Sequence, residues 1–156
     1  MKKLLTLLFF SVAITANSQD AEIDNEQQIK LVINQFFEAL ENQDSLLLTN
    51  VKMPKSQIWR IYSSENPTKA NMRFIEDDIE TLKDLPPLKE IALDFDINIH
   101  ENIAVAWVPY EFWLKNKFSH CGIDIFNLFN IDGEWKIVSA AYSVQKDNCN
   151  DLRGAH

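Results

Sequence analysis

The block from Ile103 to Tyr142 constrains the fold more than any other part of the sequence, because two tight turns divide it into three long runs. The turns are predicted at Asn116-Lys117 and at Asp132-Gly133. The runs between them are rich in β-branched and aromatic residues, which favour strands. Strands that are joined by two-residue turns pair as antiparallel neighbours. The block therefore predicts a three-stranded antiparallel meander.

The residues before the meander predict helices, followed by one more strand. A helix begins at Asp24 or Asn25, and its apolar residues recur at helical spacing. These apolar residues are Ile29, Ile33, Phe36, Phe37 and Leu40. A short second helix is predicted from Ser45, and Ser56–Tyr62 is either a short strand or an extended loop.

A third helix is predicted to begin at Asn66-Pro67, because proline suits the first helical position. Its apolar stripe would consist of Met72, Ile75, Ile79 and Leu82. Residues Ile91 to Ile99 then alternate between apolar and polar, which is typical of a half-buried strand. Helices followed by antiparallel strands indicate the α+β class.

The first 18 residues have the pattern of a signal peptide. Two lysines, Lys2 and Lys3, precede an apolar run from Leu4 to Ile14, and small residues lie before a predicted cleavage site at Ser18-Gln19. The remaining residues, 19–156, form one predicted domain in a secreted or periplasmic protein. After removal of the leader no segment is long enough to cross a membrane.

The charge of the chain argues against nucleic-acid binding. The net charge is -8, and the leader removes two lysines and no acidic residue, so the mature charge is -10. Phosphate binding needs clustered Lys and Arg residues, and none are clustered here. The histidines are scattered and no CxxC, GxGxxG or GxSxG motif occurs, so no metal and no cofactor is predicted.

Cys121 and Cys149 both remain in the mature chain. In an oxidising compartment an even pair predicts a disulfide. The alternative is two free thiols, of which one is buried in a strand.

The predicted turns also assign faces to the meander. They place Trp113 opposite His120, and Asp124 opposite Ala141. One face would then carry Trp107, Glu111, Trp113, His120, Asp124 and Phe126, and the other Tyr110, Cys121 and Tyr142. Both faces are apolar, so we expect one to pack on the helices and the other to form a homodimer through the sheet. A bulge is expected near Pro109, which has no N–H for the ladder.

Three segments resemble the nuclear transport factor 2-like superfamily, in particular its small exported SnoaL-like or lumazine-binding members. They are Gln35–Leu40 in the first helix, Phe118–Gly122 in the meander and Asp132–Val138 in the late hairpin. The resemblance covers about residues 29–142. It implies N-terminal helices packed on a strongly curved antiparallel sheet, which together form a cone around an apolar pocket. It transfers no catalytic residue, because the set used by the isomerases of this superfamily has no positional match in the chain.

A ligand-binding role is the favoured interpretation, with a small apolar or aromatic molecule as the ligand. The expected walls of its site are Trp59, Trp107, Trp113, Phe126, Tyr110 and Tyr142. Alternatively, these side chains only form the core, or the domain has a purely partner-binding role.

The enzymatic alternative is a small lyase or isomerase. His120 with Glu111 or Asp124 would supply its acid–base chemistry. In the simpler interpretation His120 is hydrogen-bonded across the strands or stacked on Trp113.

Overall fold

Residues 24–62 and 68–153 are described by the computed structural model. The predicted leader with its cleavage site, and the Asn66-Pro67 start of the predicted third helix, lie outside these residues. No helix within the described ranges is long and apolar enough to cross a membrane.

The described residues form three α-helices, named α1 to α3, and they begin largely where polar side chains cap them. They are α1 (Asn25–Asn42), α2 (Ser45–Asn50) and α3 (Ile75–Thr81), with short 3-10 helices at Leu82–Asp84 and Cys149–Arg153. Asp24 caps α1 by accepting a hydrogen bond from the backbone N–H of Gln27 at 2.9 Å. The predicted apolar stripe of α1 is confirmed, since Ile29 and Ile33 are fully buried.

In the part of the chain that the structure describes, seven strands form one sheet. They are β1 (Lys52–Tyr62), β2 (Lys69–Phe74), β3 (Leu88–Ala92), β4 (Asp96–His100), β5 (Ile103–Leu114), β6 (Lys117–Ile131) and β7 (Glu134–Ser143). Their order is β2-β1-β7-β6-β5-β3, and β4 also pairs with β5. The predicted meander corresponds to β5, β6 and β7, and it is confirmed.

The α+β class is confirmed, with helices packed on a large curved sheet that does not close. One pairing is parallel where antiparallel strands were predicted, because β1 runs parallel to β7, and the sheet is therefore mixed. No short turn joins these two strands, so the sequence carried no signal that fixed their relative direction.

The first hairpin turn lies one residue earlier than predicted. Lys115 and Asn116 both have positive φ angles, 51° and 61°, as a two-residue type I′ turn requires. Ser119 is then an extra residue in β6, so that Phe112, rather than Trp113, pairs with His120. The predicted opposition of Trp113 and His120 was therefore wrong.

The second turn is confirmed at Asp132-Gly133, but a bulge follows it. Ile131 pairs with Glu134 as expected, and Val138 is then the extra residue in β7. Asp124 consequently pairs with Tyr142, and not with Ala141. Each bulge reverses which side chains face inward from that point onward.

The bulge that was expected near Pro109 occurs on the neighbouring strands. Three residues, Leu93–Phe95, separate β3 from β4 and lie opposite only Val108 and Pro109. The N–H of Leu93 donates to the carbonyl oxygen of Pro109 at 2.8 Å. The single strand predicted over Ile91–Ile99 is therefore two strands. The predicted third helix is also shorter, because Met72 lies in β2 and α3 begins only at Ile75.

The predicted disulfide is confirmed between Cys121 and Cys149, with a Cα–Cα distance of 5.8 Å. Cys121 lies on β6 and Cys149 in the last 3-10 helix, which contacts β5 and β6. The bond therefore holds the C-terminal segment against the outer face of the sheet. Glu111, which pairs with Cys121 in the ladder, is only 6% exposed.

Candidate functional site

A cavity of about 230 Å³ lies between the helices and the inner face of the sheet. Aromatic and aliphatic side chains form most of its wall, including Phe36, Phe112 and Phe126. Its polar lining consists of Arg60, Arg73, Asp78, Glu90, Tyr110, His120, Asp124 and Tyr142. A cavity with apolar walls and inward polar groups at defined places is typical of a small-molecule site.

One cross-strand row positions three of these polar residues. Arg60 on β1 pairs with Tyr142 on β7, which in turn pairs with Asp124 on β6. Residues that are directly opposite across a ladder point to the same face. All three side chains therefore point into the cavity.

Glu90 and Asp124 form a buried carboxyl pair. Asp124 is 4% exposed. Glu90 is half-buried as a residue, and its carboxyl group is enclosed in the cavity lining next to that of Asp124. Burial raises the pKa of Glu90 to about 8, against the opposing effects of the Asp124 hydrogen bond and Arg73. Burial and the negative charge of Glu90 also raise the pKa of Asp124 well above its ordinary value. The pair therefore retains a proton at neutral pH.

The two arginines have different environments. The Nε–H of Arg73 donates to Asp78 Oδ1 at 2.6 Å. Burial by itself would lower the pKa of Arg73, but its contacts with Asp78 and Tyr142 raise it. The guanidinium group of Arg60 instead lies 4.2 Å from the ring centre of Tyr62 and 5.8 Å from that of Tyr142. The Nε atom of Arg60 is buried without a hydrogen-bond partner among the described residues.

His120 and Tyr110 complete the polar lining. His120 stacks on Phe112 with ring centres 4.7 Å apart, and its Nδ1 lies 3.0 Å from the Ser119 hydroxyl. Burial, followed by the charges of Arg60 and Lys146, lowers the pKa of His120 to about 4, so the ring is neutral at pH 7. Burial raises the pKa of the Tyr110 hydroxyl, which donates to the carbonyl oxygen of Ser143 at 2.8 Å.

Gly122 allows this arrangement. A Cβ atom at position 122 would lie 2.1 Å from the carbonyl oxygen of Ser143 and 2.9 Å from the Tyr110 ring. Both are far below a normal contact distance, so only glycine lets Tyr110 reach Ser143.

A model of the family described as "Putative lumazine-binding" matches residues 24–143, which is most of the chain. The chain belongs to this family. Membership agrees with the nuclear transport factor 2-like superfamily, whose characteristic cone of helices and curved sheet is present here. No curated protein sequence matches the chain.

Solved structures with the same fold share little sequence with this family member. A nuclear transport factor 2-like protein from Cytophaga hutchinsonii is 16% identical with a TM-score of 0.64, covering 79% of this chain and 100% of that one. One from Shewanella baltica is 17% identical with a TM-score of 0.60, covering 78% and 94%. A structure from Shewanella frigidimarina, described as a "putative ketosteroid isomerase", is 19% identical with a TM-score of 0.56, covering 74% and 94%. At these identities the comparison shows the fold alone.

The cavity of this lumazine-binding family member contains some of the residues that were expected in a site. Five of them line it, namely Tyr110, His120, Asp124, Phe126 and Tyr142. The other expected side chains do not line it. Trp59 and Trp107 line a shallow groove on the outer face of the sheet. Trp113 donates its indole N–H to Glu111 at 3.3 Å, on the same outer side.

Four charged residues of the cavity were missed in the sequence, namely Arg60, Arg73, Asp78 and Glu90. Glu90 directly precedes the alternating segment that begins at Ile91. A charged residue next to a half-buried strand could have been taken as a candidate for the polar lining of a site. Asp78 belongs to the acidic stretch Glu76-Asp77-Asp78 of α3, and consecutive acidic residues on a helix are typical of a solvated face. Arg60 lies on β1, in a segment that was predicted as either a short strand or an extended loop, and Arg73 lies on β2, in a segment that was predicted as a helix.

The arrangement brings together only part of the proposed acid–base set. His120 and Asp124 share the cavity, whereas Glu111 does not line it. His120 is neutral at pH 7 and the Glu90–Asp124 pair holds a proton, so neither of the two groups expected to act as acid and base is ionised in the way that the proposed chemistry assumes. Within residues 24–62 and 68–153, no group of three or more His, Cys, Asp or Glu side chains is placed to hold a metal ion.

The Glu90→Gln variant is expected to be less sensitive to pH than the wild type. The unfolded chain releases the Glu90 proton near pH 4.5, whereas the folded protein keeps it up to about pH 8. The folded state therefore binds more protons in this range, and its stability falls as the pH rises. His120 has the opposite effect, but only between about pH 4 and 6.5.

Urea unfolding between about pH 6.5 and 8 therefore measures the contribution of the carboxyl pair to the pH dependence of stability without that of His120. The wild type is expected to lose up to about 1.4 kcal/mol per pH unit, and Glu90→Gln to lose clearly less. Glu41→Gln, which changes a carboxylate that is 42% exposed on α1, serves as the control. Parallel pH profiles for the wild type and Glu90→Gln would contradict the buried, proton-holding pair.

Proposed function

We propose that this chain is an exported domain that binds a small, flat ring molecule in its cavity. The enclosed volume of about 230 Å³, with apolar walls and a few inward polar groups, is the observation that supports this. Sites for drug-sized ligands occupy roughly 300–1,000 Å³, so a ligand of one or two rings fits this cavity best. The family description names lumazine, a two-ring heterocycle, and this makes lumazine the first compound to test.

Lumazine is expected to stabilise the protein against heat, because a ligand that binds only the folded state shifts the unfolding equilibrium. At a concentration of about 100 Kd the gain is about 2.7 kcal/mol. Ala140→Leu should abolish this gain, since Ala140 lines the cavity and is only 4% exposed. Ala141→Leu changes the neighbouring residue, which lines the outer groove, and should keep the gain. Equal ligand-induced shifts of the melting temperature in both variants would place binding elsewhere.

Export is supported by two features of the chain. Residues 1–18 have the charge and hydropathy of a signal peptide. The Cys121–Cys149 disulfide is compatible with an oxidising compartment such as the periplasm or the exterior of the cell.

The exported protein is expected to begin at Gln19. Intact-mass measurement of protein from the periplasm or the medium of a bacterial host checks this cleavage site. The double variant Lys2→Glu, Lys3→Glu removes the positive start of the leader and should reduce export, with no change in the mature sequence. Cytoplasmic protein that keeps Met1 in the wild type would refute the proposal.

The outer face of the sheet suits a second copy of the chain. Its central part carries apolar, partly exposed side chains on adjacent strands, including Trp59, Ile61, Trp107 and Ile125. Ala141, Ser143 and Arg60 also line the groove, and none of its described lining residues is acidic. Because the whole chain carries a charge of -8, a face without carboxylates is where two copies approach with least repulsion. Such a face pairs with itself across a twofold axis.

Trp107→Glu is expected to convert the dimer into a monomer. Trp107 is 48% exposed at the centre of the groove, and a carboxylate there would be buried opposite its twofold-related copy. Leu46→Glu, on α2 and 71% exposed, introduces the same charge away from the sheet and should leave the dimer intact. Sedimentation velocity at micromolar concentration measures the difference. A wild type that sediments as a monomer would remove the proposal.

A further inference from the structure

Arg60 is a cation of the cavity lining that has no carboxylate partner among residues 24–62 and 68–153. Its Nε atom is buried and has no hydrogen-bond partner in these ranges. Its guanidinium group contacts aromatic rings instead, with the ring centre of Tyr62 at 4.2 Å and that of Tyr142 at 5.8 Å. Enclosing a cation without a carboxylate partner costs free energy, which a bound anion would recover.

The paired cations of the chain provide the contrast. Arg73, the other arginine of the lining, lies 2.6 Å from Asp78, measured from Nε to Oδ1. Lys52, whose side chain is only 5% exposed, lies 2.6 Å from Glu76. The chain has 23 acidic and 15 basic residues, so carboxylates are in excess. In the part of the chain that the structure describes none of them pairs with Arg60, and we therefore expect its ionic partner to come from outside the chain.

An apolar row lies next to Arg60 on the cavity side of the sheet. Arg60 pairs with Tyr142 across β1 and β7. Two residues earlier on the same strands, Ile58 pairs with Ala140, which pairs in turn with Phe126 on β6. These three apolar residues all line the cavity. The two rows lie about 7 Å apart along the strands, so an aromatic ring over the apolar row places a substituent of the ring beside the guanidinium group.

We propose, on the basis of the ligand-binding role above, that the cavity takes a small aromatic monocarboxylic acid. Arg60 binds the carboxylate, and the ring packs on Ile58, Ala140 and Phe126. The guanidinium group of an arginine presents its N–H groups as a planar fork that matches the two oxygens of a carboxylate. An acid of this class thus supplies both the charge and the hydrogen-bond acceptors that Arg60 lacks.

The cavity favours one negative charge on the ligand rather than two. Arg73 already has a carboxylate partner, so Arg60 is the arginine of the described lining that is left to bind an anion. A second negative charge would be enclosed without a partner in the same cavity as the carboxyl groups of Glu90 and Asp124. The class therefore excludes dicarboxylates and phosphate monoesters.

Two probes of the same shape test the proposal in the wild type. 2-Naphthoate is ionised at neutral pH and 2-naphthamide is not, while their volumes are nearly equal. Calorimetric titration is expected to show that the carboxylate binds at least about tenfold more tightly, which corresponds to about 1.4 kcal/mol. A preference of this kind follows because hydrogen bonds to an ionised acceptor are stronger than those to a neutral one.

Substitutions then assign the preference to Arg60. Arg60→Met keeps the length of the side chain without its charge, and it should reduce the ratio between the two probes to near one with little change for the amide. Arg60→Lys keeps the charge without the planar fork and should give an intermediate ratio. Lys83→Met is the matched control, because it removes an exposed cation between the lining residues Leu82 and Leu85. It should retain the wild-type ratio, whereas an effect of net charge alone would lower the ratio equally in Lys83→Met and Arg60→Met.

The possible outcomes separate this inference from the ligand-binding role. Equal affinity of the wild type for the two probes, or tighter binding of the amide, would overturn the carboxylic-acid inference and leave a ligand-binding cavity. A wild-type ratio in Arg60→Met would also overturn it, because the carboxylate would then bind elsewhere. No binding of either probe or of lumazine would overturn both. Because the comparison of probes uses the unmodified protein, it remains decisive even if Arg60→Met does not fold.

Discussion

The ladder between β5 and β6 is the constraint on which the rest of the structure depends. It runs from Ile103 paired with Phe129 to Leu114 paired with Lys117, and it continues through Pro109. Its inward residues supply both the core, such as Val108 and Phe126, and the polar lining of the cavity. Since side chains alternate between the faces of a strand, a shift of one residue would exchange the cavity lining for the outer groove.

The inner face of the sheet has to form an apolar core and also hold carboxyl groups, and these two requirements conflict. At one end of the sheet, Phe126 packs against Phe36 and Phe37 of α1, with ring centres 5.6 and 5.9 Å apart. Two residues away on β6, Asp124 lies in the same apolar surroundings as a carboxyl group. Burial of an ionised carboxylate there would be very costly, and the shared proton with Glu90 lowers that cost. The core therefore stabilises the fold only because the site remains largely neutral.

Much of the fold was predictable because local signals specify it. Asp24 caps α1, the turn at Asp132-Gly133 fixes the late hairpin, and the spacing of apolar residues separates helix from strand. The prediction of the site was less successful, because it depends on which residues of each long strand face inward, and one extra residue exchanges the two faces. The extra residues Ser119 and Val138 each exchange the inward and outward positions of the strand, and neither is marked by a glycine or a proline. Glu111 and His120, which the assumed register placed together, consequently lie on different faces.

The sequence by itself determined the class of the fold and the meander, and it predicted the disulfide with two free thiols as the alternative. These follow from composition, turn chemistry and spacing, which act over a few residues or leave only one partner available. Only the tertiary structure decided that β1 lies parallel to β7, and that Glu90 meets Asp124 in the cavity. One strand, β5, lies between them in the sheet, since Glu90 on β3 pairs with Phe112 on β5, and Phe112 pairs with His120, which is four residues from Asp124 on β6. The curvature of the whole sheet brings their carboxyl groups together, and no local pattern of residues encodes that curvature.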